Sequence, residues 1–131
     1  MVPFFGKKKK TGKKQTDAPI PWPDHVESLT SKTFHEFIRK YPLSMIDFWA
    51  PWCAPCKTML PRLRRLERLY HGKIAIGRIN TQDEKEIANQ YHIMGIPHFV
   101  FFHYEKKIGS ATGVKSIGDM KTLIDNYLSK Y

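Results

Sequence analysis

The two cysteines of the chain, Cys53 and Cys56, are separated by only two residues, and this spacing constrains the local fold more than any other feature. Side chains this close can form a disulfide only where the backbone curls, as it does at the start of a helix. A helix start also points free backbone N–H groups at the first sulfur and stabilises a thiolate there. Because the thiolate attacks disulfides, this segment alone can carry thiol–disulfide chemistry.

Zinc binding is the alternative for a closely spaced cysteine pair. A structural zinc site usually has four ligands, and the sequence has no second pair of cysteines. His98 and His103 could complete such a site, but Pro55 between the cysteines and the tryptophan before them favour redox chemistry. We therefore expect no metal, and no cofactor beyond a redox-active disulfide.

The length of 131 residues predicts one domain that buries a core without disulfide cross-links. A disulfide between two cysteines so close in sequence cannot join distant segments of the fold, and this excludes a disulfide-rich secreted scaffold. The sequence contains no run of about 18 apolar residues, so we expect no membrane span. The apolar stretch at residues 1–6 is shorter than the roughly 7–15 residues of a signal-peptide core, and a lysine-rich segment without arginine is a poor transit peptide. We expect a cytoplasmic protein.

Positive charge is concentrated near the N-terminus, although the whole chain has a formal net charge of +10. Six like charges within eight residues repel one another, so we expect residues 1–21 to be a flexible, disordered arm and residues 22–131 to form the domain. A solubilising tail is one interpretation, and a weak contact with nucleic acid or another polyanion is the other. The lysines concerned are Lys7, Lys8, Lys9, Lys10, Lys13 and Lys14.

Apolar periodicity after residue 22 predicts alternating helices and strands. The order α, β, α, β, α, β, β, α indicates an α/β fold with parallel strands, crossover helices and a final antiparallel hairpin. The hairpin turn at residues 104–106 lacks the glycine that such turns often need. The predicted elements are a helix capped by Thr30 or Ser31 and ending near Lys40, a strand at 43–50, a helix at 53–70, a strand at 74–79, a helix at 83–91, strands at 99–102 and 107–111, and a helix capped by Ser116.

The second predicted helix is amphipathic, with a proline, Pro61, inside it. Its arginines form the expected solvent-exposed side: Arg62, Arg64, Arg65 and Arg68. Its apolar residues are expected to face the core: Met59, Leu60, Leu63, Leu66 and Leu69.

The motifs resemble the thioredoxin family in order and spacing. DFWAPWCAPCK at residues 47–57 is followed by Pro61, by GIP at residues 95–97 and by Gly113. The resemblance covers residues 22–131 and implies a thioredoxin fold, in which helices flank a central mixed β-sheet. It also implies a thiol–disulfide oxidoreductase that reduces protein disulfides and is recharged by a thioredoxin reductase. We expect it to act as a monomer.

The resemblance assigns catalytic roles by position. Cys53 corresponds to the nucleophile, Cys56 to the resolving thiol, and Asp47 to a buried carboxylate that accepts the Cys56 proton. Independently, a carboxylate in an apolar strand should have a raised pKa. Arg78 stands where the family commonly has lysine, and an arginine would hold Asp47 ionised more firmly because it keeps its charge. A surface arginine on the strand is the alternative for Arg78.

Four residues are expected to line the groove that receives the substrate. Pro97 corresponds to the family's cis-proline, which turns the backbone of Ile96 towards an incoming peptide that can pair like an added strand. Trp52 and Gly113 would border the same groove. Trp52 could instead be a core aromatic.

Some positions are expected to tune the site. Ala54 stands where the commonest motif has glycine, and with Pro55 and Lys57 it should leave the chemistry unchanged. His98 stands where the family usually has threonine. As an imidazolium it would stabilise the Cys53 thiolate and shift the protein towards an oxidase or isomerase, whereas a solvent-facing histidine would not. A binding module tethered to polyanions by the lysines is the third hypothesis.

Overall fold

A mixed β-sheet of five strands forms the centre of the computed structural model, which describes residues 21–131. The predicted arm therefore lies outside the described residues, apart from its last position. Within the described range, no helix is both long and apolar enough to cross a bilayer. The elements are β1 (Glu27–Leu29), α1 (Phe34–Lys40), β2 (Ser44–Trp49), α2 (Ala54–Leu69), β3 (Ala75–Asn80), α3 (Lys85–Gln90), β4 (His98–His103), β5 (Lys106–Thr112) and α4 (Ile117–Lys130).

The strand order is β1-β3-β2-β4-β5. Strand β3 pairs in parallel with β1 and β2, whereas β4 is antiparallel to both β2 and β5. The prediction of an α/β fold with a mixed sheet and a terminal hairpin is confirmed. At the centre, β2 ends at Trp49 beside the start of α2, so the cysteine motif follows directly from a buried strand.

Separate apolar clusters cover the two faces of the sheet. Successive residues of a strand point to opposite faces, so Met45 and Ile46 of β2 belong to different clusters. Burying each large apolar side chain stabilises the fold by about 1.5–3 kcal/mol. The face covered by α1 and α3 buries Phe34, Phe37, Ile38, Ile46, Phe48, Ile87, Val100 and Phe102, and the face covered by α2 and α4 buries Met45, Met59, Leu63, Leu66, Ile76, Phe99, Phe101, Met120 and Ile124.

Two differences from the predicted elements occur before β2. Strand β1 was not predicted, because its three residues are too few to show a periodic pattern and it forms only by pairing with β3. The N-cap of α1 is Thr33, not Thr30 or Ser31, and its side chain makes no capping hydrogen bond within the described chain. The backbone N–H of Thr30 instead donates to Thr33 Oγ1 (2.9 Å), which fixes a turn ahead of the helix.

The inward face of α2 differs from the prediction at Leu69, which is 51% exposed. Three residues turn a helix by about 300°, so Leu69 lies beyond the edge of the buried stripe that includes Leu66. Near the end of the helix, the buried residues are instead Glu67 and Tyr70.

The hairpin between β4 and β5 closes without glycine. His103 pairs with Lys106 across a loop of Tyr104 and Glu105. Tyr104 takes the left-handed conformation (φ 50°), and its N–H donates to Pro42 O (3.2 Å). A tertiary hydrogen bond thus supports a turn that the sequence left in doubt.

Candidate active site

Cys53 and Cys56 form a disulfide at the N-terminus of α2, with their Cα atoms 5.3 Å apart. Cys53 is the N-cap and has extended backbone angles. Pro55 occupies the first turn, where its missing N–H removes no helical hydrogen bond. The N–H of Cys56 donates to Cys53 Sγ (3.2 Å). In the reduced protein, this N–H and the positive end of the helix dipole would stabilise negative charge on the Cys53 sulfur.

The two sulfurs differ in burial. Cys53 retains 4% exposure and Cys56 none, and both pack with Ala50 in a small cluster against Trp49 and Ile96. Cys53 is therefore the sulfur that an incoming group can reach first. The other tryptophan of the motif, Trp52, is 71% exposed beside the disulfide, so the alternative of a core aromatic is wrong for it.

The loop before β4 brings two further predicted residues to the disulfide. The Ile96–Pro97 peptide bond is cis, and Ile96 O lies 3.9 Å from Cys53 Sγ. The N–H of Gly113 donates to Pro97 O (2.8 Å), which ties the end of β5 to this loop. Gly113 has φ 95°, a conformation that favours glycine. The structure thus brings the four predicted groove residues to one end of the sheet.

Asp47 is fully buried in β2, on the sheet face that α2 covers. Arg78 Nε donates to Asp47 Oδ2 (3.0 Å), while Oδ1 has no hydrogen-bond partner among residues 21–131. Burial raises the pKa of Asp47 to about 6, although the charge and hydrogen bond of Arg78 lower it. The raised pKa predicted from the sequence is confirmed in direction.

Arg78 is largely covered, with 11% of its side chain exposed. Its guanidinium carbon lies 4.2 Å from the centre of the Trp49 ring, a cation–π geometry. Arg78, Trp49 and Asn80 also line a cleft of about 220 Å³ that opens towards solvent. The alternative of a free surface arginine does not fit these contacts.

Among the described residues, the hydrogen bond of His98 goes to β5 and not to a sulfur. Its Nδ1 lies 2.7 Å from Thr112 Oγ1 on the paired strand, and by strand alternation it faces the side of Val100, away from α2. Burial, and more weakly the charge of Lys107, lower its pKa. An imidazolium beside Cys53 therefore has no geometric support, and the tuning role of His98 stays a prediction.

The remaining predicted positions lie on the first turn of α2. Ala54, Pro55 and Lys57 are exposed, and the backbone N–H of Lys57 donates to Cys53 O (3.3 Å). His103, considered as a zinc ligand, donates through Nδ1 to Pro42 O (2.8 Å) at the far end of β4. Across the part of the chain that the structure covers, no three His, Cys, Asp or Glu residues are grouped to hold a metal ion.

Sequence reasoning missed two exposed apolar residues that lie next to groove residues in the sequence. Met94 is 94% exposed two residues before Ile96, and Val114 is 46% exposed directly after Gly113. The sequence did carry a signal for their exposure. Each is a large apolar residue next to a glycine of the motifs, in a segment predicted to be a loop.

Comparisons with known proteins agree with this geometry. The family model "Thioredoxin" matches residues 25–126. The chain is 36% identical over 105 residues to a chloroplastic M-type thioredoxin of Spinacia oleracea, covering 79% of this chain and 58% of that relative. It is 33% identical over 104 residues to thioredoxin 1 of a Nostoc species, covering 79% of this chain and 94% of that relative. A solved variant thioredoxin from Halobacterium salinarum superposes with a TM-score of 0.76 at 23% identity, over 82% of this chain and 94% of that one, which supports the fold.

Proposed function

This chain belongs to the thioredoxin family, and we propose that it is a thiol–disulfide oxidoreductase that reduces protein disulfides through Cys53 and Cys56. The observation that carries the proposal is the Cys53–Cys56 disulfide at the start of α2, with the Cys56 N–H directed at Cys53 Sγ. The match to the family model over residues 25–126 supports it.

In the first step, the Cys53 thiolate attacks one sulfur of a client disulfide. The client S–S bond breaks, a mixed disulfide forms with Cys53, and the second client sulfur leaves as a thiolate that takes a proton. The position of Cys53 as the N-cap of α2 supports this role, because the helix terminus favours its ionised form.

In the second step, Cys56 attacks Cys53 Sγ and releases the other client sulfur. Cys56 must first lose its proton, and we assign Asp47 as the acceptor, because Asp47 lies on the sheet face beneath α2. With a pKa of about 6, Asp47 is mostly a carboxylate at pH 7. Two electrons pass from the cysteine pair to the client, and the Cys53–Cys56 disulfide returns.

The client is held by an exposed groove at the edge of the disulfide. Ile96 O faces Cys53 Sγ, and an extended client segment can pair with the backbone of Ile96 as an added strand. Trp52, Pro97 and Gly113 border this segment. The exposure of Trp52 supports the assignment, because an apolar side chain in solvent gains from contact with a client.

The domain that performs this chemistry spans residues 22–131, and we propose that it acts as a monomer. The oxidase or isomerase hypothesis needs His98 near the sulfurs, and the contact of His98 with Thr112 gives it no support. The polyanion hypothesis depends on lysines outside the described residues. Neither alternative has an observation that favours it.

We propose a thioredoxin reductase as the electron donor and the cytoplasm as the compartment. The spinach relative is named chloroplastic and the Nostoc relative is bacterial, so the compartment needs its own experiment. Fractionation of source cells with antibody detection should find the protein in the cytoplasmic fraction. Recovery in an organelle would overturn the localisation and leave the chemistry standing.

Insulin reduction with a thioredoxin reductase and NADPH tests the function. The wild-type chain should reduce insulin, and Cys53→Ser should abolish turnover. Cys56→Ser should form a stable mixed disulfide with the client, because the resolving thiol is missing, and dithiothreitol should release it. Full activity of Cys53→Ser would overturn the proposal. Both variants should melt like the reduced wild type, which shows that a loss of activity is not a loss of fold.

A further inference from the structure

Helix α2 carries a row of positive charge that begins beside the reacting sulfurs. We define the basic stripe as Lys57, Arg64, Arg65 and Arg68, all of which are exposed. At about 100° per residue, Lys57, Arg64 and Arg68 fall within about 40° of one another around the helix, and Arg65 lies about 60° further round. From Lys57 to Arg68 the stripe is about 16 Å long.

Within residues 21–131 no acidic side chain forms an ion pair with the stripe, although Asp24 and Glu67 line one shallow pocket with Arg64 and Arg68. The ion pairs there join Asp24 to His25, Glu105 to Arg39, Glu67 to His71 and Asp47 to Arg78. Glu67 is the single acid of α2, and it is buried and bonded to His71 (3.3 Å). The stripe therefore presents unpaired charge to solvent.

This arrangement is unfavourable for the helix itself. Arg64 and Arg68 are four residues apart and Arg65 and Arg68 three apart, and like charges at these spacings repel. Lys57 lies in the first turn, where the helix dipole disfavours a cation. Only Arg68, in the last turn, is placed where the dipole favours it. Stabilisation of α2 thus does not explain the stripe.

We propose that the basic stripe is a docking surface for acidic segments of client proteins, placed to bring their disulfides to Cys53. The proposal deepens the oxidoreductase function and rests on it. The stripe starts one residue after Cys56, so a chain bound along it lies next to the reacting pair. A protein client supplies both a disulfide and carboxylates at that place, whereas a nucleic acid supplies only charge. Opposite charges also raise encounter rates by about 10- to 1,000-fold at low salt.

Two synthetic oxidised peptides test the proposal with the full-length reduced protein. Both contain the same intrapeptide disulfide, followed by a tail of about six glutamates or six glutamines, which extends about 20 Å and can follow the stripe. The wild type should reduce the glutamate peptide about 10-fold faster at about 0.01 M salt, where the Debye length is about 30 Å, and equally fast at about 1 M, where it is about 3 Å.

Three sets of variants identify the side chains responsible. The variant Arg64→Gln/Arg65→Gln/Arg68→Gln should bring the rate ratio to below about twofold. The variant Arg64→Lys/Arg65→Lys/Arg68→Lys keeps the charges and should keep the preference. The control Lys32→Gln/Lys40→Gln/Lys85→Gln removes the same charge from exposed positions on α1, α3 and the turn before α1, on the other face of the sheet, and should also keep it.

Several outcomes would overturn the proposal. Equal rates for the two peptides with the wild type, a preference that survives the arginine-to-glutamine changes, or an equal loss in the lysine control would each do so. If the arginine-to-glutamine changes abolish binding to a labelled DNA duplex while the two peptides are reduced at equal rates, the stripe is a nucleic-acid surface instead. Failure to reduce either peptide contradicts the oxidoreductase function, whereas equal reduction contradicts only the stripe.

Discussion

Asp47 combines full burial with a charged partner on only one of its carboxylate oxygens. Its pKa in the folded protein, about 6, lies above the value of about 3.9 in an unfolded chain. A raised carboxyl pKa stabilises the fold fully below pH 4, and this stabilisation is lost as the pH rises through about 6. At neutral pH the charged carboxylate is therefore a cost to stability, which fits the proton-acceptor role proposed for Asp47.

Replacing Asp47 with asparagine should stabilise the protein at pH 7 and slow its chemistry. About two pKa units correspond to about 3 kcal/mol, which is an upper limit because Arg78 loses its partner in the variant. Urea unfolding between pH 4 and pH 8 should show wild-type stability falling through about pH 6 and a flatter profile for Asp47→Asn. The release of mixed disulfides should be slower in the variant. A variant less stable than wild type at pH 7 would contradict the assignment.

Arg78 should set the pKa of Asp47 through its charge. Because Arg78 lowers that pKa against the effect of burial, Arg78→Gln should raise it above about 6, by about one unit or more. Arg78→Lys retains the charge and is the matched control, with a smaller shift. Carbon NMR titration of the Asp47 carboxyl measures the effect directly. An unchanged pKa in Arg78→Gln would show that the ion pair has no influence on the carboxyl.

At the scale of the element, α4 has the clearest capping interaction. Ser116 Oγ accepts from the Asp119 N–H (3.0 Å), as the sequence predicted. Loss of an N-cap hydroxyl typically costs about 1 kcal/mol, so Ser116→Ala should destabilise the fold by about that much. Ser129→Ala, at the exposed C-terminal end of α4, should change stability by less than about 0.5 kcal/mol. Equal effects of the two variants in urea unfolding would refute the cap.

The sequence patterns that predicted the fold are local ones. The apolar run of β2, the cysteine spacing at the start of α2 and Ser116 before α4 each depend on a few neighbouring residues. What the sequence missed or left open depends on contacts between distant segments. Strand β1 exists only through β3, and the direction of His98 is set by the register of β4 on β5, where a shift of one residue would reverse it.

In the candidate site, too, local patterns could be predicted and contacts between distant segments could not. Cys53, Cys56 and Pro97 could be identified from short motifs, and the burial of Asp47 from its apolar strand. The contact of Arg78 with the Trp49 ring joins residues 29 positions apart on adjacent strands, and periodicity carries no information about it. The contacts of Arg78 were thus harder to predict than the two cysteines.

At the scale of the whole molecule, we propose that the folded domain starts at Trp22. Its ring lies 5.1 Å from that of Tyr41 and packs against the apolar cluster of α1 and α3. Tyr41 OH also donates to Pro21 O (3.4 Å). These contacts hold the segment before β1 against the end of α1, on the sheet face opposite the disulfide.

Shortened chains test this boundary. A chain that begins at Trp22 should have a free energy of unfolding about 2 kcal/mol higher than that of a chain that begins at Asp24. Only the first chain retains the aromatic pair and the area it buries. Trp22→Ala in the full chain should lose a similar amount, and both changes should leave the reduction potential of the cysteine pair unaltered, since Trp22 lies on the other face. Equal stability of the two shortened chains would move the boundary of the domain beyond Pro23, and a changed potential would show that the two faces of the sheet are coupled.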